Sequence, residues 1–443
     1  MTRLPMSADS DNHVADPPPF AATLPGIVAA SIFGLACLVW LAAGERLPGG
    51  RWIVVHIFTL GVMTILIWTF SAHFATRATI AATPRPTPER WILTGLLAGG
   101  VVAMLVGRVS GAHLPLVLGS LAIMVVVGAN VITLRRRRRN ATSDQVIRVI
   151  QQYEHAHIAF LIAAGFGGAL GAGWVPGALV LGAREAHIHL TVLGWGGLTV
   201  LATLTIYGPT LLGIPSDEGD TARSSSGPQI ATLGMGVATA GFLLTSLART
   251  ILPDEGAGPA MLMTAGGLVA YGYGIVAVAR PLLRATRGTD RSAAGFSVGA
   301  ALTWFLLAIG LDITTIVTGL PGWAHGLATL LLVGVLAQLA LAVLSHIAPA
   351  MRDPAPARSM RPGARIERAA QVRAVLFNLG VLLLAGGQIV GRVTDLPTSI
   401  TVRLGWALIG VAVISHIGLL ARPHRRAVAA DETDDTRLRE HGA

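Results

Sequence analysis

The sequence predicts an all-α polytopic membrane protein of twelve transmembrane helices, and three observations carry that prediction. The 443 residues are 53% apolar and only 13% charged, with mean hydropathy +0.64, an excess of apolar over charged residues that no soluble globular domain needs. Apolar stretches near the ~20 residues required to cross hydrocarbon recur along the whole chain. The arginines between them alternate with the parity of the stretches.

Taken in order, the stretches run Leu24–Ala43, Trp52–Thr76, Trp91–Val109, Leu114–Leu134, His155–Ala172, His187–Leu212, Gln229–Leu247, Pro259–Ala279, Ala293–Val317, Trp323–Ile347, Val372–Val390 and Ile400–Ala421. Arg77, Arg85 and Arg90 follow the second. The run Arg135 to Arg139 follows the fourth, and Arg280, Arg284, Arg287 and Arg291 follow the eighth. Arg352, Arg358, Arg361, Arg365, Arg368 and Arg373 follow the tenth, and Arg422, Arg425 and Arg426 the twelfth. The other loops are short and nearly neutral. The positive-inside rule then places both termini in the cytoplasm and the chain in the plasma membrane. The formal charge of +10 is accounted for by topology and by contact with anionic lipid of the bilayer, which excludes nucleic acid as a partner.

Residues 1–22 form an N-terminal tail, 23–421 a single membrane domain and 422–443 an acidic and basic C-terminal tail. Asp9, Asp11, His13, Asp16 and the three prolines from Pro17 lack the order of a cleavable signal peptide, so the first stretch is expected to remain. Cys37 is the only cysteine, which leaves neither a disulfide framework nor a thiolate cluster; a metal would need nitrogen or oxygen ligands. Glycines such as Gly165, Gly167, Gly168, Gly171, Gly266 and Gly267 suit close helix packing. A weak repeat aligns His73 with His346 and Gly61 with Gly334, so that the second stretch resembles the tenth.

Histidine carries the functional signal. An imidazole inside hydrocarbon is costly unless it binds something or lines a polar path. His56, His187 with His189, and His325 open the second, sixth and tenth stretches at the outer face, with His113 nearby. His73, His155, His157, His346 and His416 form a second set near the inner face. Neutral imidazoles ligate haem iron, copper and zinc, and two of them on facing helices can clamp a haem. His56 and His73 are 17 residues apart, about 25 Å along a helix, enough for two stacked sites. Residues two apart, as in His155/His157 and His187/His189, point to opposite sides of a regular helix, so one of each pair is expected to bind. Glu154 and Glu185 are candidates either for orienting those rings or for interfacial carboxylates. Asp312 and Arg108 are the other costly groups inside the stretches, with a proton-relay or a structural role open for Asp312.

With functional histidines on helices two, six and ten, the chain resembles subunit I of the haem-copper oxidases and its distant relatives of the NnrS type. The segment from Ala186 to Leu198, followed by Tyr207, is similar to the His-rich sixth helix of divergent oxidase-like proteins. That resemblance implies three pseudo-symmetric arcs of four helices and haem b as cofactor, with copper as a further metal. It further implies a low-spin haem held by His56 and His325. His73 and His346 join these as candidate cofactor ligands, and His187, His189, His155 and His157 as candidate metal ligands. The seventh stretch has no histidine, and Thr191 and Leu193 stand four residues after His187 and His189 where the oxidases place a tyrosine, so oxygen reduction is not implied. The expected role is electron transfer, or nitric oxide or nitrite metabolism, with a redox partner protein. A proton-coupled transporter or a membrane metal-handling protein are the alternatives that the histidines and the repeat leave open.

Overall fold

The computed structural model describes residues 20–79, 87–214, 225–252, 257–285, 292–319, 324–352, 367, 369–394 and 396–421, with backbone alone at 45, 285, 324, 325, 347–352 and 421. Twelve long helices account for nearly all of it: α1 (Leu24–Ala43), α2 (Gly50–Thr79), α3 (Pro88–Ser110), α4 (His113–Arg139), α5 (Asp144–Gly171), α6 (Gly177–Leu211), α7 (Gly227–Ile251), α8 (Gly258–Ala285), α9 (Ala293–Thr318), α10 (324–352), α11 (Ala370–Val393) and α12 (Ser399–Ala421). Eleven are long and apolar enough to cross a membrane. The twelfth, α5, carries its apolar length after a charged first half. With no water in hydrocarbon to satisfy peptide groups, helices that bond their own backbone are what such a composition can form.

The helix ends follow local chemistry. Proline occupies the first turn of α1, α3 and α7, where its missing N–H costs nothing, and Ser292 caps α9 by accepting from the Gly295 N–H at 3.1 Å. Glycine in the left-handed region closes α3 at Gly111 and α9 at Gly319. Several helices begin earlier than hydropathy suggests: α5 starts at Asp144 rather than His155, α3 at Pro88 rather than Trp91, α2 at Gly50 after a left-handed Gly49, and the regular part of α6 at Val180 rather than His187. His56 therefore lies between one and two turns inside α2, and His187 and His189 about two to three turns inside α6.

Packing repeats every four helices. α1 lies against α2, α5 against α6 and α9 against α10, while α3–α4, α7–α8 and α11–α12 are tight antiparallel hairpins. Each hairpin is closed by a reciprocal pair of glycines, Gly100 with Gly119, Gly234 with Gly267 and Gly380 with Gly405, at which a Cβ would run into the partner's backbone. α2, α6 and α10 form the centre: 61%, 61% and 56% of their spanning windows are buried, against 44% or less in the eight other helices of that class.

The three central helices share a feature that hydropathy does not report. Each leaves α-helical geometry for an eight-residue π-helical segment, Ile57–Thr64, Leu190–Gly197 and Leu330–Ala337. Glycine is the fifth residue of all three. A side chain there would strike Phe33 of α1 at Gly61, Ala159 of α5 at Gly194 and Trp304 of α9 at Gly334. The Gly61/Gly334 register is the one the sequence repeat proposes, and Gly194 supplies the third member. Runs of π geometry are rare and gather at functional positions. Carbonyls in the widened turns take extra partners: Thr64 Oγ1 donates to Thr59 O at 2.9 Å, and Tyr271 OH donates to Leu193 O at 2.8 Å.

Candidate functional site

The residue immediately before each π segment is His56, His189 and Thr329. His56 and His189 are thus equivalent positions in the first two arcs. His325 stands one turn earlier than its arc's equivalent position, and its side chain lies outside the described residues. Thr329 donates to Gln388 Oε1 of α11 at 2.7 Å.

Tautomers can be assigned from the partners, because a backbone carbonyl only accepts. His56 Nδ1 donates to Trp52 O at 2.8 Å, and His187 Nδ1 donates to Ala163 O of α5 at 2.8 Å. In both rings the lone pair must then sit on Nε2, and neither Nε2 takes a hydrogen bond among the described residues. These two rings face each other across the α2–α6 contact with centroids 6.4 Å apart and planes within 10°. His187 rests against Gly167 of α5, where a Cβ would meet the ring. Behind His56 lies a stack: the Trp52 ring at 3.8 Å from it, 22° off parallel, and the Arg108 guanidinium 5.6 Å from the Trp52 centroid.

The other candidates are engaged differently. His189 donates from Nδ1 to Glu185 O at 2.8 Å, and its Nε2 shares a proton with Asp312 Oδ2 of α9 at 2.8 Å, both side chains being buried. His157 donates from Nδ1 to Tyr153 O at 2.6 Å and accepts at Nε2 from Asn130 Nδ2 at 2.8 Å, with Ser71 Oγ at 3.4 Å. Neither ring has a lone pair left over in this arrangement. Among the described residues His155 and His73 each keep a buried Nδ1 without a partner; His73 stacks on Phe20 at 5.0 Å. His346 ends the apolar part of α10, and its neighbour Ser345 meets His416 Nε2 at 2.7 Å. His113 opens α4 exposed, away from the paired rings. Glu154, weighed above as an orienter of a histidine, instead meets Arg138 Nε at 3.0 Å and Arg135 Nε at 3.6 Å. Among the described residues no three His, Cys, Asp or Glu side chains gather as a metal cage.

Three polar residues that sequence reasoning passes over complete the picture. Trp195 Nε1 donates to Thr64 Oγ1 at 3.0 Å, tying the second π segment to the end of the first, and its ring sits edge-on to His157 at 4.5 Å. Asn130 and Tyr271 satisfy groups on α5 and α6. The three glycines in a common register mark these segments in the sequence, and two of them share the longer spacing His-x-x-x-Leu-Gly, at His56 and at His189.

Arrangement, length and hydropathy define the class: a multi-pass, all-α membrane protein built from three arcs of four helices around α2, α6 and α10. A heme-copper terminal oxidase, solved as a dimer by cryo-EM, has this fold. It is similar over 92% of this chain and 84% of that one, with a TM-score of 0.64 and 13% sequence identity. No family model and no curated protein matches the sequence.

Proposed function

We propose that the protein is a haem-binding membrane redox protein of oxidase-like or NnrS-like type, in which His56 and His187 would hold the haem iron through their Nε2 atoms. The observation that supports this most is the pair itself. Two parallel imidazoles from facing central helices lie side by side inside the bundle, each with its tautomer fixed by a backbone carbonyl. The rings are 6.4 Å apart between centroids and within 10° of parallel, and neither Nε2 takes a hydrogen bond among the described residues. Two protein nitrogens suffice when a porphyrin supplies the remaining ligands.

The bound group would supply one-electron chemistry. The chain supplies everything else. The carbonyls of Trp52 and Ala163 fix both tautomers and ring planes, as outer partners of metal-bound histidines do. Trp52 shields one side of His56, and Arg108 sets a positive charge behind it. The lipid-facing helices exclude water. His325 remains a candidate second ligand from α10, and His73 and His346 remain candidates for an inner site. Copper is the second metal that two imidazoles suit. The proposed role is electron transfer with a redox partner protein, in respiration or in nitric oxide or nitrite metabolism, from a plasma-membrane location with both termini cytoplasmic.

The test is an absorption spectrum of the purified protein with His56→Ala, His187→Ala, His325→Ala and, as a control, His113→Ala. The proposal expects a b-type reduced-minus-oxidised difference that His56→Ala and His187→Ala each remove and His113→Ala leaves intact. Loss in His325→Ala with retention in His187→Ala would move the second ligand to α10.

A further inference from the structure

The run of five arginines that ends α4 is larger than topology alone requires, and the redox site does not use it. Arg135 and Arg138 are pinned by the buried Glu154 of α5, which takes both through Nε. Arg136, Arg137 and Arg139 form no ion pair among the described residues, and Arg136 and Arg139 are exposed. The elements packed around them do not balance the charge: α5 adds Asp144 and Arg148 beside Glu154, and α3 brings Glu89 and Arg90, the latter lying over Trp68 at 5.8 Å.

The same face of α4 continues below the arginines as an exposed apolar stripe. Leu118 (55% exposed), Leu121 (50%), Val125 (63%) and Ile132 (54%) recur at three-, four- and seven-residue steps, and Arg136 and Arg139 are the next positions of that series. A lipid-facing helix needs only the stripe. A stripe that runs directly into two uncompensated guanidiniums has the profile of a phospholipid, with acyl chain along the helix and phosphate at its end. Guanidinium forks match a phosphate diester's oxygens in pairs, and basic residues just past a spanning segment attract anionic headgroups.

We infer that the α4 end is a binding site for one anionic phospholipid, whose headgroup phosphate meets Arg136 and Arg139 and whose acyl chain lies on Val125 and Ile132. The pinning of Arg135 and Arg138 by Glu154 holds the helix end in place and keeps those two guanidiniums at fixed positions beside the headgroup. The inference is independent of whether His56 and His187 bind haem.

Native mass spectrometry of the purified full-length protein tests it, with phosphatidylglycerol and phosphatidylcholine offered in equal amounts. Phosphatidylglycerol should be retained preferentially, and Arg136→Gln/Arg139→Gln should weaken that retention by about thirty-fold. A second variant, Val125→Ser/Ile132→Ser, should also weaken it, because a bound acyl chain needs the stripe. Inorganic phosphate should not displace the lipid. Equal retention of the two lipids overturns the inference, as does unchanged retention in the arginine variant. Displacement by inorganic phosphate, or indifference to the stripe variant, overturns it in favour of a free-anion site. The wild-type preference and the phosphate competition remain decisive if either variant fails to fold.

Discussion

Replacing Asp312 by alanine should be among the most destabilising single changes in the molecule. Its carboxylate lies 2.8 Å from His189 Nε2, with only 6% and 8% of the two side chains exposed, and His189 Nδ1 is already committed to Glu185 O. Truncation would strand a buried imidazole N–H between α6 and α9, so the cost should fall near the ~3–5 kcal/mol seen when one partner of a buried pair is removed. Asp312→Asn keeps an oxygen that accepts from Nε2 and should cost less, about 1–3 kcal/mol. The double replacement His189→Phe/Asp312→Leu removes both polar groups and should return to within about 1 kcal/mol of the Asp312→Asn variant or better, because an apolar pair of similar volume carries no desolvation penalty. Reversible unfolding in mixed micelles measures all of these, and the double-mutant cycle gives the coupling. A cost below about 1 kcal/mol for Asp312→Ala, or strict additivity in the cycle, would refute the reasoning.

Further outcomes are expected elsewhere. Arg108→Leu should lower the midpoint potential of a metal centre on His56: a guanidinium about 10 Å away, screened because it is exposed, is worth about 0.5–1 kcal/mol, or about 20–40 mV for one electron, while Arg108→Lys should recover most of it in a potentiometric titration. Gly119→Val should open the α3–α4 hairpin, because its Cβ meets Gly100 O and Met104 N at 2.5 Å, and should cost at least about 1–3 kcal/mol in the same unfolding assay. Trp195→Phe removes the bond to Thr64, whose hydroxyl keeps its own donation to Thr59 O, and should cost about 0.5–1.5 kcal/mol.

Much of the fold was legible because hydrocarbon leaves a chain few choices. Apolar length fixed the helices, and Leu24–Ala43 coincides with α1 to the residue. The second–tenth repeat, read through Gly61 and Gly334, was a fragment of a threefold pattern. Its third member, Gly194, follows His189 in the same His-x-x-x-Leu-Gly spacing as Gly61 follows His56, a match that an alignment made on His73 and His346 does not reach. The π segments could not be read at all, since the sequences Ile57–Thr64 and Leu330–Ala337 are apolar runs that serve an α-helix equally well. The histidines stand out in the sequence as a set, but their individual roles depend on which nitrogen is taken. That is decided by carbonyls and side chains distant in sequence: Ala163 for His187, Asp312 for His189 and Asn130 for His157. Spacing along one helix carries no such information. Glu154 beside His155 left a ring partner and an interfacial carboxylate equally open, and the arginines of the preceding helix decide for the second.

The central claim, that His56 and His187 clamp one redox-active haem, is tested most directly by the reduced-minus-oxidised spectrum of the purified wild-type protein beside that of His187→Ala. The account predicts a low-spin b-type signal in the first and its loss in the second. A colourless wild-type protein, or a low-spin signal untouched by the substitution, would contradict it.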